Sequence, residues 1–201
     1  MWVKAAAISP VPSYAVVHAP VLEAIETELA VGSEKERAEI DEAFLRFERT
    51  QPHLAERIAQ MINRPLDETA LALGYFLTIA VWMSFERSFG PSLGQVKSQD
   101  LKAVEASFEL EEQLRATHGE QPMDVDDVVS LEQPSILEFI HGHVEAALDL
   151  TAQAEVRLGE PRDVDVDDVH SIYRMVVILT LALSHAVRPG PGVSSSPRLP
   201  D

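Results

Sequence analysis

Residues 69–85 read TALALGYFLTIAVWMSF, a run without a single charge. Wound as an α-helix, it points large side chains in every direction, from Leu71, Leu73 and Phe76 to Val81, Trp82, Met83 and Phe85. A helix that is apolar all round must be enclosed by protein or by lipid. Length separates the two. A spanning helix needs roughly 20 apolar residues, and this run is shorter and diluted by Gly74, Tyr75, Thr78 and Ser84. Its flanks, Asp67, Glu68, Glu86 and Arg87, lack the Lys/Arg asymmetry that orients a span. A second apolar stretch, 175–187, is shorter still. The expectation is a buried core helix and no membrane partner, with Trp82, Phe76, Ile79 and Leu183 almost fully buried. Ala70, Gly74 and Thr78 fall at i, i+4 and i+8, a small-residue face that lets another helix approach closely. The dimerisation reading of such a face belongs to membranes and carries little weight in water.

A chain of 201 residues is one domain by default, and a core of that size stands without metal or disulfide. There is no cysteine, which excludes a disulfide framework, a thiol nucleophile and any cysteine-ligated zinc or iron–sulfur site. The opening MWVKAAAISPVPSYAVVHAP has one Lys and an apolar run broken by Pro10 and Pro12. That makes a poor secretory signal, so a cytoplasmic location is expected. Acids outnumber bases 33 to 16, for a net charge of −17. No basic patch of the nucleic-acid kind is visible. An acidic surface is soluble and steers toward a basic partner.

Read in order, residues 1–19 form an extended arm, with Trp2, Tyr14, Val16 and Val17 available to dock it in cis or to reach a partner. A single all-helical domain follows over 20–188. Pro20 suits a helix start, Val21, Leu22, Ile25 and Leu29 share a face, and Gly32 stops the helix. Ser33 and Glu36 make a capping box for a helix with stripe Ile40, Phe44 and Phe47. Pro52 removes a donor and clashes with the preceding turn, so a kink or fresh start is expected near Thr50. Pro65 ends that segment, and Asp67 and Glu68 open the central helix at the positive end of its dipole. Further helices are expected from Ser98 or Asp100 to about Thr117, from Val128 or Pro134 to Arg157, and from Asp168 to Arg188, with a loop over 118–123. Residues 189–201, rich in Pro, Ser and Gly, read as a disordered tail. The fold class is all-α: an antiparallel bundle of six or seven helices around two apolar central helices, more than 60% helical.

A faint internal repeat runs through this bundle. LDETALALGYFLTIAVWMSFERSFGP at 66–91 aligns without a gap on VDDVHSIYRMVVILTLALSHAVRPGP at 166–191, with Asp67/Asp167, Ser84/Ser184, Gly90/Gly190 and Pro91/Pro191 identical. Upstream, Gln51-Pro52 with Glu56 and Ile58 matches Gln133-Pro134 with Glu138 and Ile140. Two hairpins of this kind, each opened by Gln-Pro and ended by Gly-Pro, would pack their apolar helices on each other at the centre.

Candidate sites are few. Glu138 and His141 have the E-x-x-H spacing of di-iron carboxylate bundles, but neither apolar helix offers a carboxylate at mid-length. The buried stripe there is Ile136, Ile140, Val144 and Ala147, which puts Glu138, His141, Glu145 and Asp149 on the opposite face as one exposed ridge. His143 falls near the stripe and His185 in the last apolar helix, where a lone histidine is more often a hydrogen-bonded core residue than a catalyst. Asp163, Asp165 and Asp167 imitate a calcium loop, yet Asp168 stands where glycine is needed and Arg174 where the bidentate glutamate belongs. Like Asp124, Asp126 and Asp127, they read as acidic helix openings. No nucleophile elbow, zinc-protease, phosphate-loop or dinucleotide motif occurs.

Two classes of function stay open. One is a non-enzymatic acidic helical module that binds a protein partner, as an adaptor, regulator or immunity-type inhibitor. No cofactor, metal, membrane or nucleic acid is expected for it, homo-oligomerisation stays open, and its partner would meet the Glu138, His141, Glu145, Asp149 ridge. The other is an enzyme or small-molecule binder with a site inside the bundle, metal-dependent if Glu138 and His141 find further ligands.

Overall fold

The order of apolar and capping residues translates into helices almost element by element. The protein, as a computed structural model, is described over residues 9–29, 34–118, 132–158 and 165–190. Seven α-helices lie within these ranges: α1 Ala19–Leu29, α2 Glu34–Thr50, α3 Pro52–Ile62, α4 Glu68–Phe89, α5 Ser98–His118, α6 Pro134–Leu158 and α7 Val166–Ala186. The architecture is the expected all-α bundle around two apolar helices; the described residues are 83% helical and contain no strand. Pro52 makes a fresh start of α3 and Pro134 opens α6, each at the helix's first position, where its missing N–H costs nothing. Several expectations lie outside the described residues: Trp2, Gly32, Ser33, most of the 118–123 loop, Asp124, Asp126, Asp127, Asp163 and the tail from 191.

The two apolar helices, α4 and α7, make the most extensive helix–helix contact of the bundle. Their starts meet where the Asp67 N–H donates to Asp168 Oδ2 at 2.9 Å. Their ends meet where Gly94 N–H donates to Ala186 O and Arg188 N–H to Ser92 O, both at 2.9 Å. The central pair therefore runs in the same direction, parallel where the antiparallel bundle was expected, because α5 and α6 lie between the two apolar helices in the chain and bring it back to the same end. Gly74 allows the close approach: a Cβ there would stand 2.6 Å from Ile172 Cδ1, and Ala70 and Thr78 beside it are fully buried. The small-residue face works within one chain.

Burial of α4 is uneven. Every residue from Leu77 to Phe85 is buried, and Trp82, Ile79 and Leu183 sit in the core as expected. Phe76 does not; it is half-buried at the edge, stacked on Phe139. By length and composition α4 (with the short turn after it) and α7 could each cross a bilayer, but 67% and 61% of their apolar windows are buried inside the protein.

Two buried glutamines hold the bundle's extended segments. Gln51 Oε1 accepts from Val96 N–H at 2.8 Å and its Nε2 donates to Gly94 O at 3.0 Å. Gln133 Oε1 accepts from Val17 N–H at 3.0 Å, and its Nε2 donates to Ala15 O at 2.7 Å and Ser184 Oγ at 2.9 Å. Each side-chain amide thus satisfies the carbonyl of one residue and the N–H of the residue two further on, as a neighbouring strand would. The Gln-Pro match is a shared structural role. The other half of the repeat is looser. Gly90, at φ +46°, caps α4, but α7 ends at Ala186, short of Arg188 and Gly190. Asp67 is the N-cap of α4, whereas Asp165, not Asp167, caps α7. These acids are helix openings.

The arm is docked in cis from residue 9 onward. Val11, Ala15 and Val17 are its buried anchors, and the Val11 N–H is bonded by Glu132. Tyr14 points outward and Val16 is half-buried, so neither is a main anchor.

Candidate functional site

The face of α6 that carries the charged candidates is set by its inward stripe. Ile136, Leu137 and Ile140 are fully buried, while Val144 and Ala147 are half-buried. Glu138, Glu145 and Asp149 are exposed. His141 does not join them: it is half-buried, with Nε2 3.2 Å from Tyr173 Oη and its ring stacked on the tyrosine at 5.6 Å and 22°. The reason is angular. At about 100° per residue, 138, 145 and 149 share a narrow arc, and 141 lies roughly 60° away from 138, toward α7. The expected four-residue ridge is therefore three carboxylates, with Glu138 and His141 turned apart. Among the described residues no group of three or more His, Asp or Glu is placed to hold a metal ion. Replacing Glu138 and Glu145 together by alanine is expected to change stability by less than about 0.5 kcal/mol, as for other surface sites, which a urea melt measures.

His143 sits where the apolar stripe meets α4. Its ring is edge-on to Phe76 at 4.7 Å and to Phe139 at 4.4 Å, and its Nε2 is 3.4 Å from Glu26 Oε1. It fills the seam between α1, α4 and α6 as one member of an aromatic cluster. His185 is exposed.

A concave apolar surface lies elsewhere, between α2 and α4. The expected α2 stripe is only partly covered. Phe47 and Ala43 are fully buried, but Ile40 and Phe44 are half-buried, and the α4 residues beside them, Ala72 and Tyr75, are exposed. The result is a groove of about 690 Å³ with Leu29 and Ile79 at its base, Phe44 and Phe76 as walls, and Leu45 and Tyr75 at its rim. Phe44 and Tyr75 pack ring to ring at 5.6 Å. Leu45 is 58% and Tyr75 43% exposed. The charges lining the groove are Asp41 and Glu48, and no Lys or Arg stands among its described lining residues. Nearby arginines are engaged elsewhere: Arg46 bonds Glu86 at 3.2 Å and lies over the Trp82 ring, and Arg49 bonds the carbonyl of Leu45. Sequence patterning passed over this site. Its one signal was Leu45, an apolar residue off the α2 stripe.

The groove is within the size range of ligand-binding clefts, and its described lining is aromatic and aliphatic with an acidic edge at Asp41 and Glu48. Compared with family models, with curated proteins and with solved structures, the chain matches none of them.

Proposed function

We propose that the protein is a non-enzymatic interaction module, soluble and cytoplasmic, that seats a basic amphipathic helix of a protein partner in the α2–α4 groove. The observation that carries this reading is the pair of exposed apolar side chains, Leu45 and Tyr75, standing over an apolar trough. Monomers rarely leave such a contiguous patch open unless something binds it. A groove between two helices is the shape that receives a third through residues at i, i+3, i+4 and i+7. Aromatic anchors such as Tyr75 carry a large share of binding energy when they are desolvated. Asp41 and Glu48 at the rim select Lys and Arg on the incoming helix. The net charge of −17 draws such a helix in from a distance. The Glu138, Glu145 and Asp149 ridge adds to that field and is part of the approach rather than the seat.

The test uses a synthetic helix with Leu at i, i+3, i+4 and i+7 and Lys elsewhere, and a scrambled peptide of the same composition. The patterned peptide is expected to bind, measured by fluorescence anisotropy. The scramble should bind at least tenfold more weakly, because it gains the charge attraction and not the groove. Tyr75→Ala with Leu45→Ala should lose about 2 kcal/mol or more of affinity, as for central anchors, with the circular dichroism spectrum unchanged. Equal binding of both peptides, or variants that bind like wild type, would end the reading. A dimer in sedimentation that Leu45→Asp dissociates would assign the groove to a second copy of the chain instead.

A further inference from the structure

A cleft of about 370 Å³ lies between the start of α5 and the end of α7. α5 turns Asp100, Ala103, Val104 and Ser107 to it, at i, i+3, i+4 and i+7, the spacing of one helix face. α7 adds Leu181, Ala182, His185 and Ala186. Val96, Leu181 and Ala182 are buried and Val104 is half-buried, so the floor is apolar. The rim is polar and rich in acceptors. Ser107 gives its proton to the Ala103 carbonyl at 2.8 Å, which leaves its oxygen as an acceptor. Gln95 Nε2 donates to the Thr50 carbonyl at 3.4 Å, which leaves Oε1 to accept. The Asp100 carboxylate and the His185 ring are exposed and have no hydrogen bond or ion pair among the described residues. No Lys or Arg stands among the described lining residues.

We propose that this cleft binds a small organic cation, a primary amine on a short apolar body. The one carboxylate of the rim is Asp100, and Ser107 and Gln95 offer it company as acceptors rather than donors. In its neutral form the His185 ring adds an acceptor nitrogen. An ammonium group carries three donors and no acceptor, which suits such a rim. An anionic ligand would meet Asp100 with no cation to hold it. A divalent metal ion fits poorly, because calcium takes six to eight oxygen ligands and the described lining supplies one carboxylate. The apolar floor removes the ligand's hydrocarbon part from water. The net charge of −17 raises the local concentration of cations around the molecule. The cleft lies at the small end of ligand sites, so it takes a body of a few carbons and not a peptide helix. It shares no described lining residue with the α2–α4 groove.

The experiment titrates the full chain with hexylamine and, separately, with hexanol, reading the methyl signals of its valines and leucines by nuclear magnetic resonance. Hexylamine is expected to shift Val96, Val104 and Leu181, which line the cleft. Hexanol, with the same body and no charge, should shift the same methyls with about fivefold weaker affinity, the worth of one partly exposed ion pair. Asp100→Asn should weaken hexylamine by about the same factor and leave hexanol unchanged. Asp41→Asn, which removes one charge from the α2–α4 groove instead, should leave hexylamine binding at these methyls as in wild type. Equal affinity for hexylamine and hexanol would reduce the cleft to an apolar crevice and overturn the proposal. So would shifts absent from all three methyl groups, or hexylamine affinity unchanged in Asp100→Asn. An equal loss in Asp41→Asn would overturn it too, since the amine would then answer to the acidic surface as a whole.

Discussion

Replacing Trp82 by alanine is expected to destabilise the protein by about 3–5 kcal/mol, through lost apolar contact and the cavity left behind. Trp82 is 1% exposed in the fully enclosed half of α4. Its ring meets Phe47 edge-on at 5.6 Å, and the Arg46 guanidinium lies 5.6 Å from its centroid. It ties α2 to the central helix. Its indole Nε1 is buried without a hydrogen-bond partner among the described residues, so the loss would come from packing and not from a broken polar contact. This separates two variants. Trp82→Phe keeps most of the contact and removes the unpaired N–H, whose burial itself costs free energy. It should therefore cost less than half as much as Trp82→Ala. Urea unfolding with the slope checked for constancy measures both. A loss below about 1 kcal/mol for alanine would be incompatible with a filled core at this position.

The second large effect is expected at Gln133. Truncation to alanine leaves the Val17 N–H and the Ala15 carbonyl without their bonds to the side chain in a region closed to solvent. Ser184 loses the incoming bond from Gln133 but keeps its own to the Thr180 carbonyl at 2.7 Å. Each of the two stranded buried groups costs about 1–3 kcal/mol, so Gln133→Ala should lose about 2–6 kcal/mol. Gln133→Glu should be no rescue, because a carboxylate can still accept from Val17 but cannot donate to Ala15 and brings a charge into the core. The loss has a local signature. Hydrogen exchange at Val17 should speed up more than exchange in the middle of α4, since the arm opens before the bundle does. An unfolding midpoint equal to wild type with unchanged exchange at Val17 would show that the arm is held by its apolar anchors alone. Gln51→Ala should behave similarly toward Gly94 and Val96, with a smaller loss because one bond fewer is broken.

Much of this protein could be read from residue order alone. The all-round apolar wheel of 69–85 can be satisfied only by enclosure, so a central helix followed directly. Pro52, Pro134 and the Asp67 cap act on their own helix ends, within a turn, and they set boundaries wherever the helix later packs. Gly74 announced a close approach, because only hydrogen occupies that face. The partners of Gln51 and Gln133, in contrast, lie 43 to 118 residues away in the chain. The matching pairs of sequence said that the two residues were equivalent, and only the packed bundle showed that they clamp extended segments. His141 was misplaced on an exposed ridge for the same reason: its partner Tyr173 sits on another helix, and a wheel drawn for one helix has no neighbours. The α2–α4 groove and the α5–α7 cleft are tertiary in origin too. Periodicity tells which side chains need cover. Whether a neighbouring helix is present to provide it depends on where that helix starts and ends. Here no helix among the described residues covers Ala72 and Tyr75, and in the Gln-Pro register Arg57 and Met61 stand where Phe139 and His143 fill the matching seam.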